Sequence, residues 1–293
     1  HSTPQTVLVA LHTKYGTVLY ANDFKLDMHP VLGKKPNFKR LGELGKENVI
    51  ALIVESTYAK DAKKMPSESV AKEMLREAMM ETENKNSLIL VTTFSSHIAR
   101  LKSVIEFGKK LNRKIIFMGR SLAKYVKAAE NVGIVNFSKD IEIVKYGKQI
   151  KRKLKKIEKE REKYILAVTG HQGEHRSVLY RMMRGEFEFK LFPEDNVIFS
   201  CKVIPTPTNI ANREALESEL KKLGVRVFRD VHQSGHAARE DLRDFIGLVK
   251  PKKIIPAHGN KEMKEALAEL AEEMGYKMEK SIFLVKDGHK VVI

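Results

Sequence analysis

Several histidines and acids in this chain of 293 residues stand where a side chain could do chemistry instead of filling a core: His1, Asp23, Glu55, His232, His236 and His258. The most telling context is IIPAHGN, an apolar run that ends in His258 and Gly259. Its branched aliphatic residues suit a buried strand, which leaves His258 at the strand's C-terminal mouth, where open α/β sheets bind their ligands. VIALIVE is built the same way and ends in Glu55, while Asp23 in ANDFKLD follows the end of another β-rich run. VHQSGHA sets His232 and His236 in a glycine-containing loop, and HSTPQ sets His1 just ahead of an apolar run. Imidazoles grouped with a carboxylate form the donor set that Zn(II) takes, and Mn(II) is also admissible. Any one of these residues is more often a surface or capping residue; their repeated placement at strand ends is what raises the set above that reading.

The elements that must position them follow from the spacing of apolar residues. Runs at residues 6–11 and 17–20 read as a hairpin turning at 14–16, and 49–54 reads as a buried strand. From residue 67 the period becomes helical, with SESV resembling a capping sequence ahead of VAKEMLREAMME. LILVTTF, KIIFMG and YILAVTG then alternate with the helical HIARLKSVIEFGKKL and SLAKYVKAAENVG, so residues 67–199 read as an α/β module with parallel strands. After VIFSCKVIP come a helix in NREALESELKKLG, a strand in VRVFRDV, a helix in REDLRDFIGLV, the KIIPAHG strand and a last helix over 261–275. SIFLVKDG and KVVI read as a closing strand pair. Residues 145–163 hold ten basic residues against three acidic. This stretch reads as a solvated helix face carrying i,i+4 ion pairs in preference to a nucleic-acid contact. The loop TGHQGE, with Gly170 and Gly173 after a strand, would let backbone N–H groups come close to a phosphate, a weak signal on its own.

Composition narrows the class. Lys plus Arg number 54 against 37 Asp plus Glu, a formal charge of +17, which favours a polyanionic partner over a membrane, although a hot-adapted surface would also be rich in Lys and Glu. The lone Cys201 excludes an internal disulfide framework and a zinc-thiolate site, and points to a reducing, cytoplasmic compartment. There is no uninterrupted apolar stretch of roughly 18 residues and no charged-then-apolar leader, so neither membrane nor export is expected. Because His1 runs straight into a strand pattern, the opening reads as the middle of a protein.

Taken together and in order, HSTPQ, ANDFKLD, VESTYA, TGHQGE, VIFS, HQSGHAAREDL and IIPAHGN resemble the β-CASP nucleases of the metallo-β-lactamase class over essentially the whole chain. The SGHA and PAHG pair looks more like ribonuclease J, its archaeal branch in particular, than like the messenger-RNA 3′-end processing nuclease. The resemblance implies an α/β fold: part of a metallo-β-lactamase αββα sandwich, from residues 1–60 and 199–293, with a β-CASP domain on a parallel sheet inserted at 61–198. It implies that His1, Asp23 and His258 hold metal, Asp23 as a bridge between two zinc ions, with Mn as an alternative. It gives His236 the role of proton donor to the leaving oxygen or partner of the scissile phosphate, with Glu55 orienting its ring. Gly170, Gly173, Ser234, Gly235, Ser95 and Ser96 would hold RNA phosphate, though His171 stands where the family's loop usually has serine. The family's HxHxDH signature has no match in these residues, so the stretch taken alone is expected to be inactive. The implied activity is 5′-to-3′ exonucleolytic hydrolysis of single-stranded, 5′-monophosphorylated RNA to 5′-phosphate products. Endonucleolytic cuts and a homodimer are left open. The rival readings are an RNA-binding stretch without catalysis, a DNA nuclease of the same class, and a metallohydrolase of small substrates, which the +17 charge argues against.

Overall fold

Runs of branched aliphatic residues too short for helices become strands here, and two sheets collect them. In the computed structural model, which describes residues 1 and 3–292, the chain opens with β1 (Val9–Thr13) and β2 (Gly16–Ala21), an antiparallel hairpin closed by Lys14 and Tyr15. Gly16 at the turn is irreplaceable for two reasons: its φ is +141°, and a Cβ there would fall 2.6 Å from the Asn48 carbonyl oxygen. Helix α1 (Phe38–Leu44) follows, started by the Asn37 side chain accepting from Arg40 N–H, and then β3 (Val49–Glu55).

The alternation then proceeds through α2 (Glu68–Arg76), β4 (Ile89–Thr92), α3 (Ile98–Lys110), β5 (Lys114–Met118) and α4 (Arg120–Asn131). It continues with β6 (Ile141–Val144), α5 (Gly147–Ile157), β7 (Tyr164–Val168), α6 (Val178–Met183) and β8 (Asn196–Phe199). Helix α7 (Pro207–Lys222), β9 (Arg226–Phe228), α8 (Arg239–Val249), β10 (Ile254–Ala257) and α9 (Lys261–Glu273) complete the set.

The chain divides into two compact units, the first holding residues 1, 5–67 and 234–292 and the second 3–4 and 68–233. The first unit is built on a four-stranded sheet, β1-β2-β3-β10, in which β2, β3 and β10 run parallel. One face of that sheet is covered: Leu19, Leu52, Val54 and Ile254 pack with Leu41 of α1, Phe245 and Ile246 of α8 and Leu267 and Leu270 of α9. Along the edge hairpin, apolar side chains stay exposed, Leu11 at 60% and Tyr20 at 46%. The second unit carries a wholly parallel six-stranded sheet, β6-β5-β7-β4-β8-β9. Alternate residues of its strands feed two cores. Leu90, Leu166 and Val197 pack with α5, α6 and α7, and Ile89, Val91 and Ile165 with α2 and α3. This is why its strands read as continuous apolar runs.

Four expectations need correction. Residues 199–233 were expected with the first unit, but β9 pairs with β8 in the second unit's sheet, so the chain returns at residue 234. The expected closing strand pair is reduced to isolated bridges from Ile282 to Ile254 and Met278; residues 283–292 form no strand, and Ile293 lies outside the described residues. Strand β6 escaped notice because its IEIV alternates at a half-exposed sheet edge. Finally, α5 has no i,i+4 ion pair: Lys151 reaches Glu188 and Lys153 reaches Glu142. Among the described residues, no helix is long and apolar enough to cross a membrane.

A charged cluster lies within the second unit. Arg100, fully buried, donates Nε and Nη2 to the two carboxylate oxygens of Glu68 at 2.7 and 2.8 Å, and Nη1 to Ser200 Oγ and the Val231 carbonyl. His97 and His232 lie edge to face beside it, with ring centroids 6.4 Å apart. Burial pushes the Glu68 carboxyl up, but His97 and Arg100 outweigh it and hold Glu68 well below the ordinary carboxylate range. Burial also pushes His232, with Arg100 and His97 adding positive charge nearby, from 6.5 down to about 2.

Removing one partner of this buried pair strands the other, so Arg100→Ala is expected to lower unfolding free energy by about 3–5 kcal/mol in denaturant titration. The histidine gives a pH dependence of definite sign. A lowered folded pKa means the unfolded chain binds more protons below pH 6.5, so stability is full above that value and falls as the pH drops, by up to about 1.4 kcal/mol per pH unit. Glu68 adds to the loss only below its unfolded value of 4.5. Denaturant midpoints measured between pH 6.5 and 5 are therefore expected to fall for the unaltered chain and to stay flatter for His232→Gln.

Candidate metal centre and histidine cluster

The parallel register of three strands sets the site. Ala257 of β10 pairs with Glu55 of β3, and Ala21 of β2 pairs with Val54, so all three strands end on one edge. Asp23, Glu55 and His258 emerge there, at the C-terminal mouth where parallel sheets place ligands. Asp23 (φ +53°) and His258 (φ +46°) both hold left-handed backbone, which costs an L-residue energy and turns each side chain out of its strand's direction. Beyond β3, Ser56 Oγ donates to the Ala257 carbonyl at 2.8 Å and Thr57 Oγ1 to the His258 carbonyl at 3.1 Å, so the EST segment clamps the PAHG turn. Gly259 fits tightly at the clamp: a Cβ there would come 2.4 Å from Ser56 Oγ and 2.9 Å from Met263 Cβ, so that a larger residue must displace the Ser56 hydroxyl.

Glu55 is fully buried and spends both oxygens: Oε1 accepts from Phe24 N–H at 2.9 Å, and Oε2 meets His236 Nδ1 at 2.5 Å. With Nδ1 committed to the carboxylate, Nε2 of His236 faces His1 Nε2 at 3.4 Å. His258 stacks on His236 with ring centroids 5.6 Å apart, and its Nε2 lies 3.0 Å from Asp23 Oδ1. Asp23, His236 and His258 each offer a ligand atom within 4.8 Å of the others. This grouping has His236 where the sequence suggested His1, which stays in contact through His236.

The donors suit a cation. Asp23 Oδ1 is buried and, among the described residues, has no well-aligned hydrogen bond, although nitrogens of His236 and His258 lie 3.9 and 3.0 Å away. A carboxylate oxygen withdrawn from water and grouped with imidazole nitrogens is a donor set that a divalent ion satisfies.

The HQSGHA loop is held by contacts the sequence reading did not anticipate. Lys25, its side chain 6% exposed, donates to the Ser234 carbonyl at 2.9 Å and pairs with Asp27 at 3.9 Å. Ser234 Oγ accepts from His236 N–H, and Asp241 Oδ2 accepts from Ala238 N–H and Met65 N–H. Lys25 and Asp27 sit two and four residues beyond Asp23 in ANDFKLD, so the motif was visible while its burial was not.

The residues expected to hold phosphate have other duties as well. Gly170 (φ +131°) lies against Ser177 and Leu179, and Gly173 (φ +75°) would place a Cβ 2.4 Å from the Asn212 carbonyl oxygen. Their conformational freedom is used in packing the second unit. The His171 ring packs tilted against Phe94 with centroids 4.3 Å apart, its carbonyl accepts from Arg213, and burial pushes its imidazole pKa down. Ser95 Oγ bonds Ser121 Oγ at 2.9 Å within the same unit, Ser96 follows it, and Gly235 lies in the first unit with Ser234.

Comparison with known proteins accords with this arrangement. Residues 86–217 match the family model described as Ribonuclease J, beta-CASP domain, and residues 222–282 that of the Zn-dependent metallo-hydrolase RNA specificity domain. Ribonuclease J of Pyrococcus abyssi (strain GE5 / Orsay) is 44% identical over 293 residues, 100% of this chain and 64% of that protein. Ribonuclease J of Methanocaldococcus jannaschii is 42% identical over 289 residues, 98% of this chain and 64% of its own length. Ribonuclease J of Helicobacter pylori (strain ATCC 700392 / 26695) is 32% identical over 303 residues, 100% of this chain and 41% of that protein. The chain therefore spans less than two thirds of the length of these relatives. Motif order, the inserted parallel sheet and identity running along the whole chain agree, and on that agreement the chain is a ribonuclease J-like β-CASP protein.

Proposed function

We propose that these residues form one side of the active centre of a zinc-dependent ribonuclease, a 5′-to-3′ exonuclease with endonucleolytic cuts also open to it, working in RNA processing and decay in the cytoplasm. The observation that carries the reading is the buried Glu55–His236 pair, 2.5 Å apart, at the strand mouth shared with Asp23 and His258. Asp23, His258 and His1 would hold metal. Two zinc ions, or manganese in their place, need more donors than these, and we assign the rest to an HxHxDH segment outside the 293 residues, which assayed alone are then expected not to cleave. The uncovered apolar side of the β1-β2 edge hairpin, with Leu11 and Tyr20, is where the second sheet of an αββα sandwich would pack.

When bound, the metal supplies a hydroxide near neutral pH and neutralises charge on the phosphate. The chain's own contribution is directional. Glu55 accepts from Nδ1–H of His236 and sets its orientation; from the doubly protonated ring Nε2–H delivers its proton to the leaving 3′ oxygen, leaving the Nδ1–H tautomer that Glu55 holds, so that the new end carries a 5′ phosphate. Lys25 holds Ser234 and so the loop that presents His236 and Gly235. In the first unit Ser234 and Gly235 would hold an RNA phosphate; within the second unit the same part is assigned to Ser95, Ser96 and the loop of Gly170 and Gly173, and the RNA is taken as single-stranded with a 5′ monophosphate. The excess of basic residues supports an RNA substrate.

The test takes the longest native chain containing these residues, with zinc or manganese and a 5′-monophosphorylated single-stranded RNA. His236→Ala is expected to slow cleavage roughly 10²–10⁴-fold, and Glu55→Gln to lower turnover and displace the pH profile with little change in KM. Equal cleavage by His236→Ala and the unaltered protein would sink the assignment. Metal analysis on the same proteins separates donor from ligand: Asp23→Asn and His258→Ala are expected to lose bound zinc, and His236→Ala to retain it. A loss of zinc in His236→Ala as deep as in Asp23→Asn would make His236 a ligand instead.

A further inference from the structure

The charged helix α5 departs from an ordinary solvated surface in how its charges are arranged. It carries Lys148, Lys151, Arg152, Lys153, Lys155 and Lys156 and no acid. Its apolar stripe of Ile150, Leu154 and Ile157 is buried in the second unit's core. At about 100° per residue, the direction opposite that stripe is occupied by Lys148, Arg152 and Lys155, with Lys156 beside them, and all four are exposed. The flanking lysines behave differently: Lys151 pairs with Glu188 and Lys153 with Glu142. The helix thus neutralises its flanks and leaves its crest as a row of like charges. The pairs Lys148–Arg152 and Arg152–Lys156 sit at i,i+4, where like charges destabilise a helix. Immediately ahead of the helix, at its N-cap, Tyr146 is 59% exposed.

We propose that the crest of α5 with Tyr146 is a docking surface for the backbone of single-stranded RNA, in a unit other than the one bearing the histidine cluster; the identity of the polyanion rests on the ribonuclease reading above. The crest residues neutralise successive phosphates, and Tyr146 offers a ring on which a base stacks, the combination by which single strands are held without regard to sequence. A membrane surface is a poorer fit. A helix lying on lipid needs its apolar stripe free for the acyl boundary, and the stripe of α5 is already spent on the protein core.

The experiment measures binding of a fluorescein-labelled oligouridylate by anisotropy, over a range of salt and in EDTA so that no cleavage intervenes. The proteins are the unaltered chain, the triple variant Lys148→Gln, Arg152→Gln, Lys155→Gln, the single variant Tyr146→Ala, and a control with Lys252, Lys277 and Lys280 changed to Gln. Circular dichroism checks that each is folded. The triple variant is expected to bind roughly tenfold more weakly and to flatten the log–log salt dependence by about 2, at about 0.7 per lost phosphate contact. Tyr146→Ala is expected to weaken binding roughly tenfold with its salt slope unchanged, and the control to change little. A triple variant with the affinity and slope of the unaltered chain would overturn the proposal and leave the nuclease reading standing. So would a variant that keeps RNA affinity and loses binding to phosphatidylserine vesicles, which would mark the crest as a membrane contact. If the unaltered chain binds no RNA, the substrate reading fails and this proposal with it.

Discussion

The buried carboxylate of Glu55 is the constraint on which the site depends. A charge with no exposed surface survives only if its oxygens are satisfied, and here they are satisfied by two different parts of the chain: Phe24 N–H on one oxygen and His236 on the other. The first bond fixes the turn that presents Asp23. The second fixes a histidine 181 positions away in sequence. Glu55 also occupies the last ladder position of β3, opposite Ala257, so the residue after that partner, His258, falls at the same level. One acid therefore ties together three strand ends and a loop.

Around that hub the backbone is held in conformations it would not choose. Asp23 and His258 both have left-handed φ, and neither is a glycine. Such residues persist where their surroundings over-determine them: His258 is held by the clamp of Ser56 and Thr57 on Ala257 and His258 and the tight fit of Gly259 against Ser56, and Asp23 by the bond from the next residue, Phe24 N–H, to Glu55. The consequence is that side chains at strand ends turn toward one another instead of continuing the alternation of the strand. Rigidity of this sort suits a centre whose ligands must hold their geometry before a cation arrives.

The second unit solves a different problem with charge. In its interior Arg100 and Glu68 are matched closely, with the Ser200 and Val231 oxygens completing the guanidinium's partners. On α5 the matching stops at the flanks and the crest is left cationic. The same residue types thus serve fold stability in one place and long-range attraction in the other, and burial decides which.

Much of this was legible in the residues. Apolar runs ending in Asp, Glu or His announced strands with reactive ends, and the alternation of short aliphatic runs with amphipathic helices announced a parallel α/β module, because strand burial and helix periodicity are local properties of the chain. The order of the motifs identified their class. What the sequence could not hold was anything fixed by distant partners. That Lys25 is buried against Ser234, that β9 belongs to the six-stranded sheet, that the α5 lysines find Glu142 and Glu188 and not i,i+4 acids, and that Gly170 and Gly173 serve packing are all matters of which surfaces meet after folding. The sequence determined which side chains stand at strand ends; the tertiary structure alone decided that Glu55 would be dry, and so which histidine it must hold, because a carboxylate's partner is chosen by what burial leaves within hydrogen-bond reach.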